Sequence, residues 1–260
     1  MSKTTKAGFF FRDEDGRTVF ASGPGGGAGG ISANKNPILT NDIKLAEAQN
    51  YEKGHFPSYL GEIDGVGKVI VKESANFAGS DTANAEVAAY EISQALGYDI
   101  VPETVIRVDP LTGKAASVQK WISGAIDGYE IDMDSLDETD IKQLFILDFI
   151  VGNPDRKASN FIVGNGKLFA IDHGLSFNPP DASRLNNNYS VLKEIRLNRR
   201  REFYRIKPKI QASDLEPIRN LLNNTTLMQN LIGLFGESST ALLKERANML
   251  LDTNGEALLE

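Results

Sequence analysis

The chain has 260 residues, no cysteine, and two histidines, His55 and His173. This composition excludes disulfides, a thiolate zinc site and a cysteine nucleophile, and a Ser-His-Asp triad would need one of those histidines. With 28 Lys plus Arg against 35 Asp plus Glu, the net charge of −7 disfavours a general nucleic-acid or anionic-membrane binder. No run of about 18 apolar residues and no signal-peptide pattern occurs, so we expect a cytoplasmic protein.

The N-terminal part differs in composition from the rest of the chain. Phe9–Phe11 and Thr18–Ala21 are apolar runs around an acidic turn, which predicts a β-hairpin. The run Gly23–Gly30 formally contains G-x-G-x-x-G, but no lysine follows it as in a phosphate-binding Walker motif. We favour a flexible connector over a nucleotide loop, and we assign residues 1–42 to a hairpin plus a Gly-rich arm.

In the next segment, turn and capping residues separate apolar runs in a pattern that is typical of short strands and one helix. Two apolar runs flank the turn Asp64–Gly67, and the second of them is Lys68–Lys72. A capped helix then follows with apolar residues at helical spacing, and Gly97 ends it. Two further strands are predicted around the turn Asp109–Gly113. The predicted order is therefore strand, strand, helix, strand, strand.

The second half of the sequence is mainly helical. The segment DETDIKQLFILDFIVG predicts a helix that ends at Gly152, because Pro154 and the polar residues around it require a loop. Two short apolar segments follow, Phe161–Val163 and Lys167–Ile171, separated by a Gly-Asn-Gly turn. Helices and polar loops are predicted from there to the C-terminus, so a β-rich half precedes an α-rich half.

Three side chains in the loops of this half point to a specific chemistry. Asp155 and Asn160 are five residues apart, and Asp172 lies twelve residues further on, so all three flank the predicted short hairpin. Asn160 and Asp172 offer the hard oxygen ligands that Mg²⁺ prefers, and Asp155 could accept a proton from a substrate hydroxyl. The pattern predicts magnesium-dependent phosphoryl transfer.

The same residues resemble a known superfamily. GNPDRKASNFIV resembles the G-N-x-D-R-H-x-x-N catalytic loop, and FAIDHGLSF the I-D-H/F-G metal segment, of atypical protein-kinase-like enzymes. The branch concerned contains the phosphatidylinositol 3-/4-kinases and the bacterial HipA-like kinases. The resemblance implies that Asp155 is the catalytic aspartate, Asn160 a metal-ligating amide and Asp172 the chelating aspartate. Lys157 stands where the family often has His, and it is a further catalytic candidate that could contact phosphate.

The resemblance extends upstream. VIVKES places Lys72 in the position of the family's phosphate-pairing lysine, and a helix acid should pair with it. Glu86 is the better candidate, because Glu91 points in a different direction around the helix. SVQKWISG resembles the strand that leads to the hinge, whose backbone would hold adenine. Gln119 and Trp121 are therefore candidate ATP-binding residues, and hinge packing is the favoured role for Trp121.

One basic segment interrupts this acidic chain. A solvated helix face is favoured for it over a patch that receives an anionic substrate. Its members are Arg196, Arg199, Arg200, Arg201, Arg205, Lys207 and Lys209.

The sequence thus predicts an α+β, bilobal protein-kinase-like fold with a β-rich N-lobe at residues 43–122 and a mainly helical C-lobe at 123–260. ATP and Mg²⁺ would bind between the lobes. A turn within Ser58–Gly67 is at least as good a candidate for covering the phosphates as the run Gly23–Gly30. We expect transfer of the ATP γ-phosphate to a hydroxyl, on a protein Ser/Thr rather than on a phosphoinositide. The alternatives are a pseudokinase that binds a partner without catalysis, and nucleotidyl transfer (AMPylation) on the same fold.

Overall fold

The structure is a computed structural model that describes residues 8–12, 18–22, 36–50, 58–77, 80–132, 135–177 and 209–256. Side chains are described for these ranges except in residues 8–12, 18–22, 46–50, 77 and 80. The run Gly23–Gly30 lies outside the described residues, as do His55 and all members of the basic segment except Lys209. The interpretations placed on those residues therefore stay predictions.

A five-stranded antiparallel sheet forms the β-rich part of the fold. Its strands are β3 (Ile43–Asn50), β4 (Ser58–Ile63), β5 (Gly67–Glu73), β8 (Thr104–Val108) and β9 (Ala115–Lys120), and they lie in the order β3-β4-β5-β9-β8. The two predicted hairpins, about the turns at 64–67 and 109–113, are confirmed as β4-β5 and β8-β9. Strand β3 was not predicted, because the Ala, Glu, Gln and Asn residues of its second half have low strand propensity.

The two faces of this sheet pack against different partners. On one face, Val69, Val71 and Val118 form a small core with Ile38 of the short helix α1 (Pro37–Thr40). Because side chains alternate along a strand, Lys72 lies on the opposite face. Helix α2 (Thr82–Ala95) packs there against β8 and β9.

Helix α2 also joins the sheet to the helical part of the chain. The helices there are α3 (Glu138–Val151), α4 (Ala212–Asn223) and α5 (Thr225–Asp252), the last interrupted by non-helical backbone at Gly236. Residues of α2 share one large hydrophobic core with all three. Asp81 caps α2 by accepting a hydrogen bond from the Asn84 N–H, as the predicted polar N-cap requires. The predicted α+β fold, with a β-rich lobe and one helix before a helical lobe, is confirmed.

Smaller strands complete the structure. Strands β1 (Gly8–Arg12) and β2 (Thr18–Ser22) pair antiparallel, which confirms the N-terminal hairpin, and β6 (Asn76–Phe77) pairs with β7 (Ser80–Asp81). A separate three-stranded sheet comes after the large one in the chain. Its strands are β10 (Ile126–Asp127), β11 (Phe161–Gly164) and β12 (Lys167–Ala170). In the described part of the chain, no helix is long and apolar enough to cross a membrane.

Helix α3 ends as predicted at Gly152, whose φ of 64° lies in the left-handed region. A Cβ on this residue would lie 2.9 Å from the Arg246 guanidinium, whose Nε donates a hydrogen bond to the Ile150 carbonyl. Glycine is therefore favoured at this position by its backbone conformation, and a larger residue would also have to displace the arginine side chain from its hydrogen bond. This turn leads directly into the loop that carries Asp155.

We predict that Gly152→Ala lowers the free energy of unfolding more than Gly97→Ala does. Gly97, with a φ of 71°, also follows a helix, but a Cβ there would meet nothing within 4 Å. Both variants lose about 1 kcal/mol through the left-handed backbone, and only Gly152→Ala also displaces Arg246. Urea unfolding of both variants measures the difference, and equal losses would contradict the close-approach argument.

Candidate active site

Lys72 and Glu86 form the first contact of the site. Lys72 is on β5, between Ser58 of β4 and Ser117 of β9, and its Nζ lies 2.7 Å from Glu86 Oε1 on α2. The Glu86 side chain is only 3% exposed. The structure thus brings the predicted lysine and the predicted helix acid together, fourteen residues apart in sequence.

The same pair also contacts the segment after β12. The other Glu86 oxygen, Oε2, accepts a hydrogen bond of 3.1 Å from the His173 main-chain N–H. Lys72 Nζ lies 3.3 Å from Asp172 Oδ1. A sheet strand, a helix and the predicted metal segment therefore meet at one carboxylate and one ammonium group.

The charges at this junction stabilise one another. Burial opposes the positive charge on Lys72, but the Glu86 and Asp172 carboxylates outweigh it and raise the lysine pKa above its ordinary value of 10.5. The Lys72 ammonium in turn lowers the pKa of Asp172 below 3.8. Lys72 is therefore charged and Asp172 ionised at neutral pH, as contacts with phosphate and a metal cation both require.

The Asp172 segment has an unusual backbone that the surrounding structure holds in place. Asp172 has a φ of 61°, a left-handed conformation that costs energy for a residue with a side chain. A Cβ on Gly174 would lie 3.4 Å from the Thr82 Cβ, at the start of α2. Further on, Phe177 N–H donates to the Val151 carbonyl at 3.0 Å, and its ring stacks on Phe235 with centroids 4.6 Å apart.

The loop between α3 and β11 brings the other predicted residues together. Lys157 Nζ donates to Asp155 Oδ2 at 2.7 Å. Asn160 Nδ2 donates to the Asp155 main-chain oxygen at 2.7 Å and to Oδ2 at 3.2 Å. Among the described residues, the contacts of the Asp155 carboxylate with side chains fall on Oδ2, which leaves Oδ1 for a further partner.

The donor set of this site fits magnesium. Mg²⁺ is usually bound through one or two carboxylates together with phosphates and waters. Asp172 supplies a half-exposed carboxylate and Asn160 an amide oxygen, while no cage of three or more His, Cys, Asp or Glu side chains exists among the residues that the structure describes. Such a site would depend on phosphate oxygens to complete the coordination of the ion.

Gln119 lies on the same face of the sheet as Lys72, because Gln119 pairs with Ile70 and Lys72 pairs with Ser117. Its Nε2 donates to Thr104 Oγ1 at 2.8 Å, so the amide is anchored to the neighbouring strand. Trp121 is partly buried directly after β9, and its main-chain N–H donates to the Lys68 carbonyl at 3.0 Å.

One expectation about the phosphates is wrong. Ser58 pairs with Lys72, whereas Ile63 and Gly67 pair at the other end of the β4-β5 hairpin. Gly67 is five residue positions before Lys72 along the strand, a distance of about 17 Å. The turn at 64–67 therefore lies too far from Lys72 to cover phosphates bound there. Strand β4 begins with Ser58 at the Lys72 end of the sheet.

Sequence reasoning also missed two buried residues of the site, Asp148 and Arg156. Asp148 is on α3 and accepts hydrogen bonds from Arg156 Nε at 2.7 Å and Nη2 at 2.9 Å. A signal was present, since a single carboxylate in the apolar run LFILDFIV is rarely buried without a charged partner.

Comparison with known proteins agrees with this geometry. Residues 129–230 match the family model of phosphatidylinositol 3- and 4-kinase, a segment that contains Asp155, Asn160 and Asp172. The match confirms the resemblance to the kinase-like superfamily. Protein Rv2133c of Mycobacterium tuberculosis is 24% identical over 38% of this chain and 48% of its own length. The chain thus spans about half of that curated relative.

Two solved structures show a general similarity to the chain. The golgi casein kinase has a TM-score of 0.46 at 13% identity, covering 86% of this chain and 75% of the other. The PAN3 pseudokinase of Neurospora crassa has a TM-score of 0.35 at 10% identity, covering 85% and 68%.

We predict that His173 makes the protein less stable in acid. Its ring is fully buried, and burial, followed by the charges of Arg156 and Lys72, lowers its pKa well below 6.5. The unfolded chain binds a proton there below about pH 6.5 and the folded chain does not, so the free energy of unfolding falls by up to about 1.4 kcal/mol per pH unit. Urea unfolding between pH 7 and 5, in EDTA, should give a flatter profile for His173→Gln. Parallel profiles would contradict the assignment.

Proposed function

We propose that the chain is an ATP- and Mg²⁺-dependent phosphotransferase that moves the γ-phosphate of ATP to a hydroxyl acceptor. The match to the kinase family model supports a phosphotransferase-type function in general. The observation that carries the finer proposal is the meeting of Lys72, Glu86 and Asp172 beside the Asp155 loop. Lys72 offers a cation for phosphate, Asp172 a half-exposed carboxylate for a metal, and Asp155 a carboxylate for a hydroxyl.

Lys72 is the proposed phosphate-binding group. Glu86 fixes its ammonium from one side, and the contact with Asp172 is the longer of its two ion pairs, 3.3 Å against 2.7 Å. An incoming phosphate oxygen can replace Asp172 as the second partner of Lys72 without removing the first. Asp172, together with Asn160, is then free to hold Mg²⁺, which would neutralise charge on the phosphates.

Asp155 is the proposed catalytic aspartate. Lys157 and Asn160 hold its Oδ2, so the carboxylate has a defined orientation and Oδ1 can receive the hydrogen of an acceptor hydroxyl. Such a contact orients the attacking oxygen and takes up its proton. Lys157, which is half-exposed beside this carboxylate, can also contact the transferred phosphoryl group.

The proposed adenine site is the segment that follows β9. Gln119 lies on the Lys72 face of the sheet, and Trp121 begins the connection between the lobes. The acceptor that we propose is a protein Ser or Thr hydroxyl. The net charge of −7 supports this choice over a phosphoinositide, because an acidic protein repels an anionic headgroup.

We predict that Asp155→Asn and Asp172→Asn each abolish transfer of label from γ-labelled ATP. Loss of the proton-accepting carboxylate costs about 10²–10⁴-fold in rate. A matched control is Asp64→Asn, which removes an exposed carboxylate paired with Lys44 at the far end of the β4-β5 hairpin. The control should label like the wild type.

The same assay separates the alternatives. Transfer of label from α-labelled ATP would show nucleotidyl transfer instead. A wild-type protein that binds ATP with Mg²⁺ but transfers neither label would be a pseudokinase. Labelling that persists in both Asp155→Asn and Asp172→Asn would overturn the assignment of these two residues.

We predict that Lys157→Met lowers the phosphotransfer rate by roughly 100-fold with little change in the KM for ATP. The expected cause is the loss of a cation that stabilises charge developing on the transferred group. Lys167→Met is a matched control, since Lys167 also pairs with an aspartate, Asp99, at 2.7 Å on the surface. An unchanged rate in Lys157→Met would contradict the proposed role and leave this lysine an ordinary charged surface residue.

A further inference from the structure

Beneath the loop with Asp155 lies a buried ion pair that takes no direct part in the proposed chemistry. The Asp148 residue is 3% exposed and Arg156 is 5% exposed. The guanidinium donates two parallel hydrogen bonds to the carboxylate, at 2.7 and 2.9 Å. Burying two charges costs free energy that their mutual attraction seldom offsets in full, so we expect this pair to have a role other than stabilising the fold.

The remaining donors of Arg156 reach both segments that carry the proposed metal ligands. Its Nη1 donates to the main-chain oxygen of Asn160 and, at 2.8 Å, to that of Ile171. Asn160 is itself a proposed ligand, and Ile171 directly precedes the other, Asp172. One guanidinium therefore bridges the two ends of the β11-β12 hairpin just where the metal would bind.

All five N–H groups of the guanidinium have a partner or a near neighbour. Two point to Asp148 and two to the carbonyls, and Nη2 lies 3.4 Å from the ring nitrogens of His173. A neutral imidazole has one ring nitrogen that accepts a hydrogen bond, so His173 can be the partner of the fifth N–H group. The guanidinium is thus held in one orientation.

Asp148 orients the catalytic aspartate through a second route. Its Oδ1 accepts a hydrogen bond of 3.2 Å from Asn153 Nδ2, and Asn153 Oδ1 accepts one of 3.0 Å from the Asp155 main-chain N–H. A carboxylate on the rigid helix α3 thereby connects to the backbone of Asp155, and through Arg156 to Asn160 and Asp172.

We propose that Arg156, held by Asp148, is a positioning residue that sets the spacing of Asn160 and Asp172 and thereby the affinity of the site for its divalent cation. This inference rests on the proposed function. The role requires arginine, because lysine is a point charge that cannot bind a carboxylate with two parallel bonds and two carbonyls at the same time. Arg156 touches neither the nucleotide nor the metal in this role and acts only through the main chain of the ligand segments.

The test measures Mn²⁺ binding by electron paramagnetic resonance, with a saturating non-hydrolysable ATP analogue present, in the wild type and in Arg156→Lys. We expect the Mn²⁺ dissociation constant of the variant to rise at least about tenfold, the usual effect of removing support from metal ligands. Binding of the same analogue in EDTA should be unchanged, since Lys72 and Glu86 do not contact Arg156.

A matched control is Arg246→Lys. Arg246 is a partly buried arginine that also donates to a main-chain oxygen of α3, that of Ile150 at 3.0 Å, but it contacts neither ligand segment. We expect this variant to lower the thermal midpoint without changing the Mn²⁺ dissociation constant. A general loosening of the fold would instead weaken Mn²⁺ binding in both arginine variants.

Asp148→Asn is the second variant, in case Arg156→Lys does not fold. It keeps the shape of the side chain but removes the charge that holds the guanidinium, and it should also weaken Mn²⁺ binding.

If the wild type binds Mn²⁺ and a folded variant binds it equally well, this inference fails and the proposed function stands. If the wild type binds neither the analogue nor Mn²⁺, both fail. If neither variant folds, the pair is required for folding and the positioning role is overturned.

Discussion

The Glu86 carboxylate is the contact on which the rest of the site depends. One oxygen holds the Lys72 ammonium on the sheet, and the other holds the His173 main-chain N–H beside Asp172. A buried carboxylate is stable only when its oxygens are satisfied, so α2, β5 and the segment of Asp172 must keep their relative positions. Glu86 contacts both Lys72 and the segment of Asp172. Movement of α2 away from the sheet would therefore separate the proposed phosphate-binding group from the proposed metal ligand.

The acidic groups of the site have positive partners within the protein. Lys72 lies beside Asp172, and Lys157 lies beside Asp155. Binding of a metal and a polyphosphate would then exchange one set of counter-charges for another, a smaller electrostatic change than bringing the same ions to unpaired carboxylates. The buried pair Asp148–Arg156 differs from both, because Arg156 also donates to the main-chain oxygens of Asn160 and Ile171 and is not exposed to a substrate.

Elements specified by neighbouring residues could be predicted from the sequence. The N-cap of α2, the end of α3 at Gly152 and the two large hairpins follow from local capping and turn chemistry, and the structure confirms each of them. Strand β3 could not be predicted in the same way, because the residues of its second half have low strand propensity and its pairing with β4 depends on tertiary contacts. The turn at 64–67 was predicted correctly as a turn, but its distance from Lys72 depends on strand register, and the expected role over the phosphates was wrong.

The sequence by itself determined which chemical groups this protein can use: two aspartates, an asparagine and two lysines, without any cysteine and with little histidine. Only the tertiary structure decided which of them meet. Lys72 and Asp172 are 100 residues apart along the chain, and Glu86 and His173 are 87 apart. Local periodicity carries no information on such pairs. The packing of α2 against the sheet brings them together, because burying its apolar side there turns Glu86 toward Lys72.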